Sequence, residues 1–489
     1  MSLLDKILGR PLRSTEAKKE ELTVATGVPV LGLDALASTA YGPEAALTIL
    51  VSLGTIGLHY MPMITLGILA LLVTLYLSYR QTAAAYPDGG GAYIVAKDNL
   101  GLRVGVIAGT ALMLDYMLNV AVGISAGVGA VLSAIPGLQQ NRLPFCLLVL
   151  ITLTVVNLRG VRQTGMTFGF PMVGFVACVG SAKVIGLVRA LMSGGQPQPV
   201  ESPPPVPGAT EAVSAWILLR SFASGCTAMT GVEAVSNGVP LFKKPEVPRA
   251  QWTLTIIAAV LAAFLLAISY LSPAYKIHAM NEEQPGYQTI YSQLVTAVAG
   301  RGVFYYIAIA SIFTILTFSA QTSFADFPRV CRLLAEDRFM PSFFAERGRR
   351  LVFSSGIIAL AILAGLLLIA FGGVIDKLIP LFAIGAFSAF SFSQIGMVAH
   401  WRRKRGKHAR TKLMINAVGA TMTSIALLII IVAKFVEGAW ITLIVGPGLV
   451  WMFWKIKHHY EWIALEIDQP VKLQTGKLRP PVVIIPIDA

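Results

Sequence analysis

Twelve stretches of this chain are apolar for long enough to cross a lipid bilayer, and nothing else constrains its fold as strongly. They lie at 28–53, 62–82, 104–134, 143–158, 167–188, 214–240, 253–273, 303–328, 352–373, 378–399, 413–433 and 438–454. About 20 residues of helix span the hydrocarbon core. Within lipid each backbone N–H and C=O must be satisfied inside its own segment, so the pattern predicts an all-α membrane protein of twelve transmembrane helices. Composition agrees, since 13% of the 489 residues are charged, against about 25% in a soluble chain. A soluble enzyme, a disordered scaffold and a secreted disulfide domain are excluded. Cys146, Cys178, Cys226 and Cys331 have neither metal-like nor disulfide-like spacing. All six histidines lie outside the spans or at their edges, which argues against a histidine relay or metal cluster. No nucleotide-binding loop or hydrolase motif appears, so the chain reads as neither an enzyme nor an ATP-driven pump.

An even number of spans puts both termini on one side. If the tails and alternate loops face the cytoplasm, they hold 31 of the 39 Lys and Arg, and the opposite loops hold six. That asymmetry predicts cytoplasmic termini in a multi-pass protein of the inner (plasma) membrane. It also explains the net charge of +14 without a nucleic-acid partner. The basic block Arg402–Lys412 marks a cytoplasmic loop and offers a contact for anionic membrane lipid. The chain divides into a tail (1–27), helices 1–5 (28–190), a Pro-rich exterior linker (191–213), helices 6–10 (214–399), helices 11–12 (400–457) and a C-terminal tail (458–489).

Spans 1 and 6 are interrupted in similar ways. Span 1 carries Ser38-Thr-Ala-Tyr-Gly-Pro-Glu44, and span 6 carries Ala228-Met-Thr-Gly-Val-Glu233. Broken helices at matching positions of two five-span halves predict a five-plus-five inverted repeat with its site at the breaks. Ionisable residues inside spans are costly and mark function by default. The candidates here are Asp34, Glu44, Asp115, Lys183, Arg220 and Glu233. Asp34 and Tyr41 share a helix face, as do Asp115 and Asn119. Asp115 is the candidate proton carrier, the structural alternative being a permanent ion pair with Lys183 or Arg220. Asp34 is a candidate for gating or proton relay. Glu233 opens the second half of span 6, where the helix dipole or a cation role accounts for it. Capping after Pro43 accounts for Glu44, and snorkelling accounts for Arg220. Lys183 lies too deep for snorkelling, and a buried ammonium there stands in for a coupling cation or carries a proton itself.

The motifs resemble those of the amino acid–polyamine–organocation superfamily along nearly the whole chain. Tyr86-Pro-Asp-Gly-Gly-Gly-Ala-Tyr93 and Asn157-Leu-Arg-Gly-Val-Arg162 are similar to two of its signature turns. A narrower resemblance, to the proton-coupled potassium importers of the Kim and Kup type, rests on Asp34–Glu44, Ser224–Glu233, Thr322–Pro328 and Lys434–Trp440. It implies a leucine-transporter-type inverted-repeat fold, a proton gradient as driving force and no cofactor. It further implies that Asp34, Tyr41, Asp115, Thr230 and Glu233 serve potassium binding or proton coupling, with potassium at Tyr41, Asp115 and Thr230. Asn119 and Phe382 stand where those importers have Thr and Tyr. Lys183 resembles the span-5 lysine of proton-coupled amino acid permeases, where it replaces a sodium ion.

The expectation is therefore a secondary transporter with a substrate site at Tyr41, Asp115, Asn119, Thr230, Glu233 and Phe382. Asp34, Asp115 and Lys183 are expected to handle coupling or gating. Proton-coupled potassium import leads, an amino acid permease is second, and a sensor on a transporter fold is third. The importers also carry a cytosolic domain, through which a homodimer is built. Residues 480–489 read like the first strand of such a domain.

Overall fold

The computed structural model describes residues 21–160, 165–348, 350–404, 406 and 408–467. Residues 1–20, Arg162 and the strand-like run 480–489 lie outside the described residues. Within them the chain is helical, and its one extended pairing is an isolated bridge between Leu22 and Phe242. Among the described residues nine helices are long and apolar enough to cross a membrane, and a bent pair, Val24–Leu31 with Leu33–Leu53, makes a tenth.

That bent pair is α1 (Val24–Leu31) and α2 (Leu33–Leu50), which meet at Gly32. The bend is 43° when α2 is followed on to Leu53. Thr23 and Thr26 cap α1 reciprocally, and Pro29 inside it removes one ladder bond. The expected interruption at 38–44 is not where span 1 breaks, because α2 runs through that motif unbroken. Ser38 and Thr39 hydroxyls donate to the carbonyls of Ala35 and Leu36 inside the same turn. Pro43 frees the Thr39 carbonyl, and the Tyr291 hydroxyl donates to it at 2.7 Å. The local sequence thus has a breaker, but a partner elsewhere in the fold repairs the ladder.

Next come α3 (Thr55–Ala85), the short α4 (Ala92–Leu100), α5 (Leu102–Ala134), α6 (Arg142–Leu158) and α7 (Gly165–Met192). Span 6 breaks where expected. There α8 (Ala215–Gly225) leads into a tight turn over Cys226–Met229, followed by non-helical Thr230–Glu233 and the one-turn α9 (Ala234–Asn237). Then follow α10 (Glu246–Tyr275), the short apolar α11 (Ile290–Ala299), α12 (Val303–Glu336), α13 (Ser354–Phe371) and α14 (Ile375–Arg403). The last run, Ala409–Ile467, is α15 (Ala409–Lys434) and α16 (Trp440–Ile467), joined by a widened turn in which Gly438 has φ +108°.

Burial separates inner from outer helices. The most apolar window of α5 is 89% buried and that of α14 is 83%, against 28% for α13. Hence α5 and α14 form the centre, packed on each other, with α12 against α5 and α15 against α14. An outer helix needs only an apolar face for lipid, whereas an inner one buries every side and can host polar groups. The Pro-rich segment adopts no helix or strand, and is pinned by Val200 N–H to the Ala297 carbonyl and by Thr210 N–H to Ser52.

Candidate functional site

The break in span 6 sets the geometry of the site. Thr230 is extended (φ −66°, ψ 153°) and Gly231 has φ +83°. Gly231 lies so close to α2 that a Cβ there would sit 2.6 Å from the Ala35 amide nitrogen and 2.7 Å from the Asp34 Cβ. One turn along α2, Ser38 Oγ donates to the Ala228 carbonyl at 2.6 Å. Gly42 then abuts Ala228, with 2.4 Å between the two Cβ positions if Gly42 had one. Small residues on both elements let the two backbones touch, as in tightly packed membrane helices generally.

Six expected residues gather around this contact. Tyr41 OH shares a 2.9 Å hydrogen bond with Thr230 Oγ1. Asn119 Nδ2, from α5, donates to Asp34 Oδ2 at 3.1 Å and to Ser323 Oγ of α12 at 3.0 Å. The Phe382 ring of α14 meets the Tyr41 ring edge-on, with centroids 6.3 Å apart. Asp115 lies against α14 at Gly385 and within electrostatic range of both Glu233 and Asp34. Asp34, Asp115 and Glu233 are all buried, and each keeps one oxygen with no hydrogen-bond partner. Among the described residues no lysine or arginine bonds any of the three. The permanent ion pair with Lys183 or Arg220 that would make Asp115 merely structural is absent there.

Lys183 is placed apart from the carboxylates. Its Nζ donates to the Tyr291 hydroxyl at 2.8 Å and to the Phe264 carbonyl at 3.0 Å. It lies 3.9 Å from the Phe264 ring centroid and 4.6 Å from that of Tyr291. Oxygen acceptors and two ring faces hold this cation where no carboxylate does. Through Tyr291 it reaches the Thr39 carbonyl of α2, so its link to the site runs through the backbone of span 1. Arg220 does not simply snorkel. It donates to Glu437 at 2.6 Å, and Lys434 donates to the same carboxylate at 2.5 Å.

Helix capping, the reason for setting Glu44 aside, does not hold. Glu44 sits within unbroken α2, not at a helix start. Its Oε1 is shielded from water and has no hydrogen-bond partner. The oddity of a carboxylate in the middle of a span was the available signal. Another contact was not legible: the glycine turn after α3 docks on the broken helix, with Gly90 N–H donating to the Ser236 carbonyl at 3.0 Å. Outside the spans, Lys377 bonds Glu283 at 2.7 Å and holds that exposed carboxyl below its usual range.

A buried polar site at a helix break, inside a bundle of lipid-length apolar helices, defines a multi-pass membrane transporter. The chain belongs to the family described as amino acid permease, whose family model matches residues 31–454. It is a transport protein and not an enzyme. It is 39% identical over 484 residues to the potassium transporter KimA of Bacillus subtilis, covering 98% of this chain and 78% of that protein. It is 24% identical over 194 residues to a protein of Pseudomonas fluorescens described as a probable potassium transport system protein, Kup, covering 38% of this chain and 27% of that one.

Proposed function

We propose that this protein imports potassium across the plasma membrane in symport with protons, by alternating access. The observation that carries this reading is the convergence of Asp34, Asp115 and Glu233 on the span-6 break with no lysine or arginine bonded to them among the described residues. Buried carboxylates without a cationic partner need a cation or a proton. In this reading Tyr41, Asp115 and Thr230 hold potassium together with carbonyls of the break, and Glu233 and Asn119 border the path. Asp115 carries the coupling proton and Asp34 relays or gates. The named activity of the Bacillus subtilis relative supports potassium as substrate.

The twelve-span, inverted-repeat architecture belongs to the same proposal. Counting α1–α2 and α8–α9 as one broken span each, and α15 and α16 separately, yields twelve. The basic-residue asymmetry supports cytoplasmic termini.

Amino acid transport is the second reading, favoured by Lys183, which bonds no carboxylate. The contact at the break weighs against it in this conformation, because the Tyr41–Thr230 bond and the Gly42–Ala228 approach close the space an amino acid would occupy.

Rescue of a potassium-uptake-deficient bacterium at limiting potassium tests the assignment, together with rubidium uptake by reconstituted protein under an inward proton gradient. Both are expected to succeed, and Asp115→Asn is expected to abolish proton-coupled uptake. Failure of rescue, combined with thermal stabilisation by an amino acid, would overturn the potassium reading.

A further inference from the structure

A small cavity of ≈ 20 Å³ adjoins the site at Tyr41. That is room for one water-sized occupant, and a dehydrated potassium ion is about that size. Its polar wall is Glu44, Tyr287, Thr289 and Tyr291, while α5 contributes only Ala126 and Ala130 nearby and so leaves the space unfilled.

We propose that this cavity is a second monovalent-cation site, with the Glu44 carboxylate as its charged ligand and the Tyr287 and Thr289 hydroxyls as neutral ones, from which potassium passes Tyr41 to the deeper carboxylates. It rests on the potassium reading above and extends it. Three observations support it. First, Glu44 Oε1 is buried and unpartnered, although Tyr287 OH and the Ile290 N–H approach the carboxylate. An orphaned carboxylate oxygen lining an empty space is a strong ligand without a metal-like partner.

Second, the protein's own cations nearby are already engaged. Arg142 forms a buried salt bridge with Glu282, whose carboxylate also accepts the Ile375 N–H at 3.2 Å, and Lys434 is bound to Glu437. Among the described residues none bonds Glu44, while Asp376 adds a second negative charge within electrostatic range. Third, the remaining ligand atoms suit a weakly hydrated ion. Hydroxyl oxygens carry two lone pairs, and Thr289 Oγ1 uses one to accept the Ser292 N–H at 3.2 Å. Neutral oxygens, backbone carbonyls in potassium channels, replace hydration water in potassium pathways, and hydroxyl oxygens are neutral acceptors of the same kind. Tyr291 is committed to Lys183 and to the Thr39 carbonyl, so its phenol stands between the ammonium and the proposed ion.

Equilibrium rubidium binding to the purified full chain, in potassium-free buffer, tests the site together with uptake kinetics. Wild type is expected to bind two ions per chain and Glu44→Gln one. Glu44→Gln should also raise the half-saturating concentration for uptake about 10-fold or more, the loss of about 1.4 kcal/mol of binding, with maximal rate largely kept. Asp115→Asn should stop transport yet still bind rubidium at Glu44. If Glu44→Gln does not fold, Glu44→Asp and Tyr287→Phe supply the reading through intermediate rises in half-saturation. A wild type that transports but binds one ion, or carboxylate and phenol variants with unchanged half-saturation, overturns the second site alone. A wild type that neither binds nor transports rubidium overturns the potassium reading and this site with it.

Discussion

Gly231 carries more of the site than its size suggests. It turns the chain at φ +83°, a region that side-chain-bearing residues rarely adopt, and brings span 6 against Asp34. Gly231→Ala is expected to cost about 1–3 kcal/mol from backbone conformation alone. The added methyl would also have to displace the Asp34 side chain or the Ala35 amide. The melting temperature of the solubilised protein should fall and transport should be lost, and an unchanged melting temperature would refute the argument. The neighbouring Asp34, Asp115 and Glu233 differ: each keeps a buried oxygen without a hydrogen bond, a cost in stability that the proposed ion path would account for.

Among elements, the junction between α15 and α16 is tied to α8 by the Arg220–Glu437–Lys434 group. Lys434 is 5% exposed and Glu437 is its ion-pair partner, whereas Glu437 and Arg220 are each just over a quarter exposed. Removing the carboxylate therefore strands a buried cation, while removing the guanidinium leaves the Glu437–Lys434 pair standing. Glu437→Gln is expected to destabilise the protein by about 1–3 kcal/mol, below the cost of breaking a fully buried pair. Arg220→Gln should cost clearly less. Denaturation of the two variants side by side checks this, and equal losses would contradict it. α2 obeys the same logic at its own breaker, where Tyr291 takes the carbonyl that Pro43 leaves free.

For the whole molecule the charge distribution makes a topological prediction. A single cysteine replacing Gly208, in the exposed Pro-rich segment, should react with a membrane-impermeant maleimide on intact cells. One replacing Arg402 should react only after permeabilisation. The reverse pattern would invert the assigned orientation. On the face expected to be cytoplasmic, Asp337 at the end of α12 gathers Tyr93, Lys97 at 2.5 Å and, through its carbonyl, Lys457 at 3.2 Å. One residue there joins α4, α12 and α16.

By itself the sequence determined that this protein lies in a membrane, that its chain is helical, that span 6 is interrupted within Ala228–Glu233, and which few ionisable groups are worth asking about. Those features follow from hydrophobicity and from residues whose backbone preferences are local, such as Gly231. Tertiary structure decided the rest, because each remaining question depended on a partner distant in the chain. The Ser38–Glu44 motif reads as a break, yet Tyr291, some 250 residues away, repairs it, and the bend falls at Gly32 instead. Asp34, Asp115 and Glu233 could each have faced Lys183 or Arg220. Only the packing of α2, α5 and the span-6 break set them together and left their charge uncompensated. Glu44 looked like a cap because the helix was expected to begin there. With α2 continuous, it becomes a half-buried carboxylate whose shielded Oε1 lacks a hydrogen bond beside a cavity.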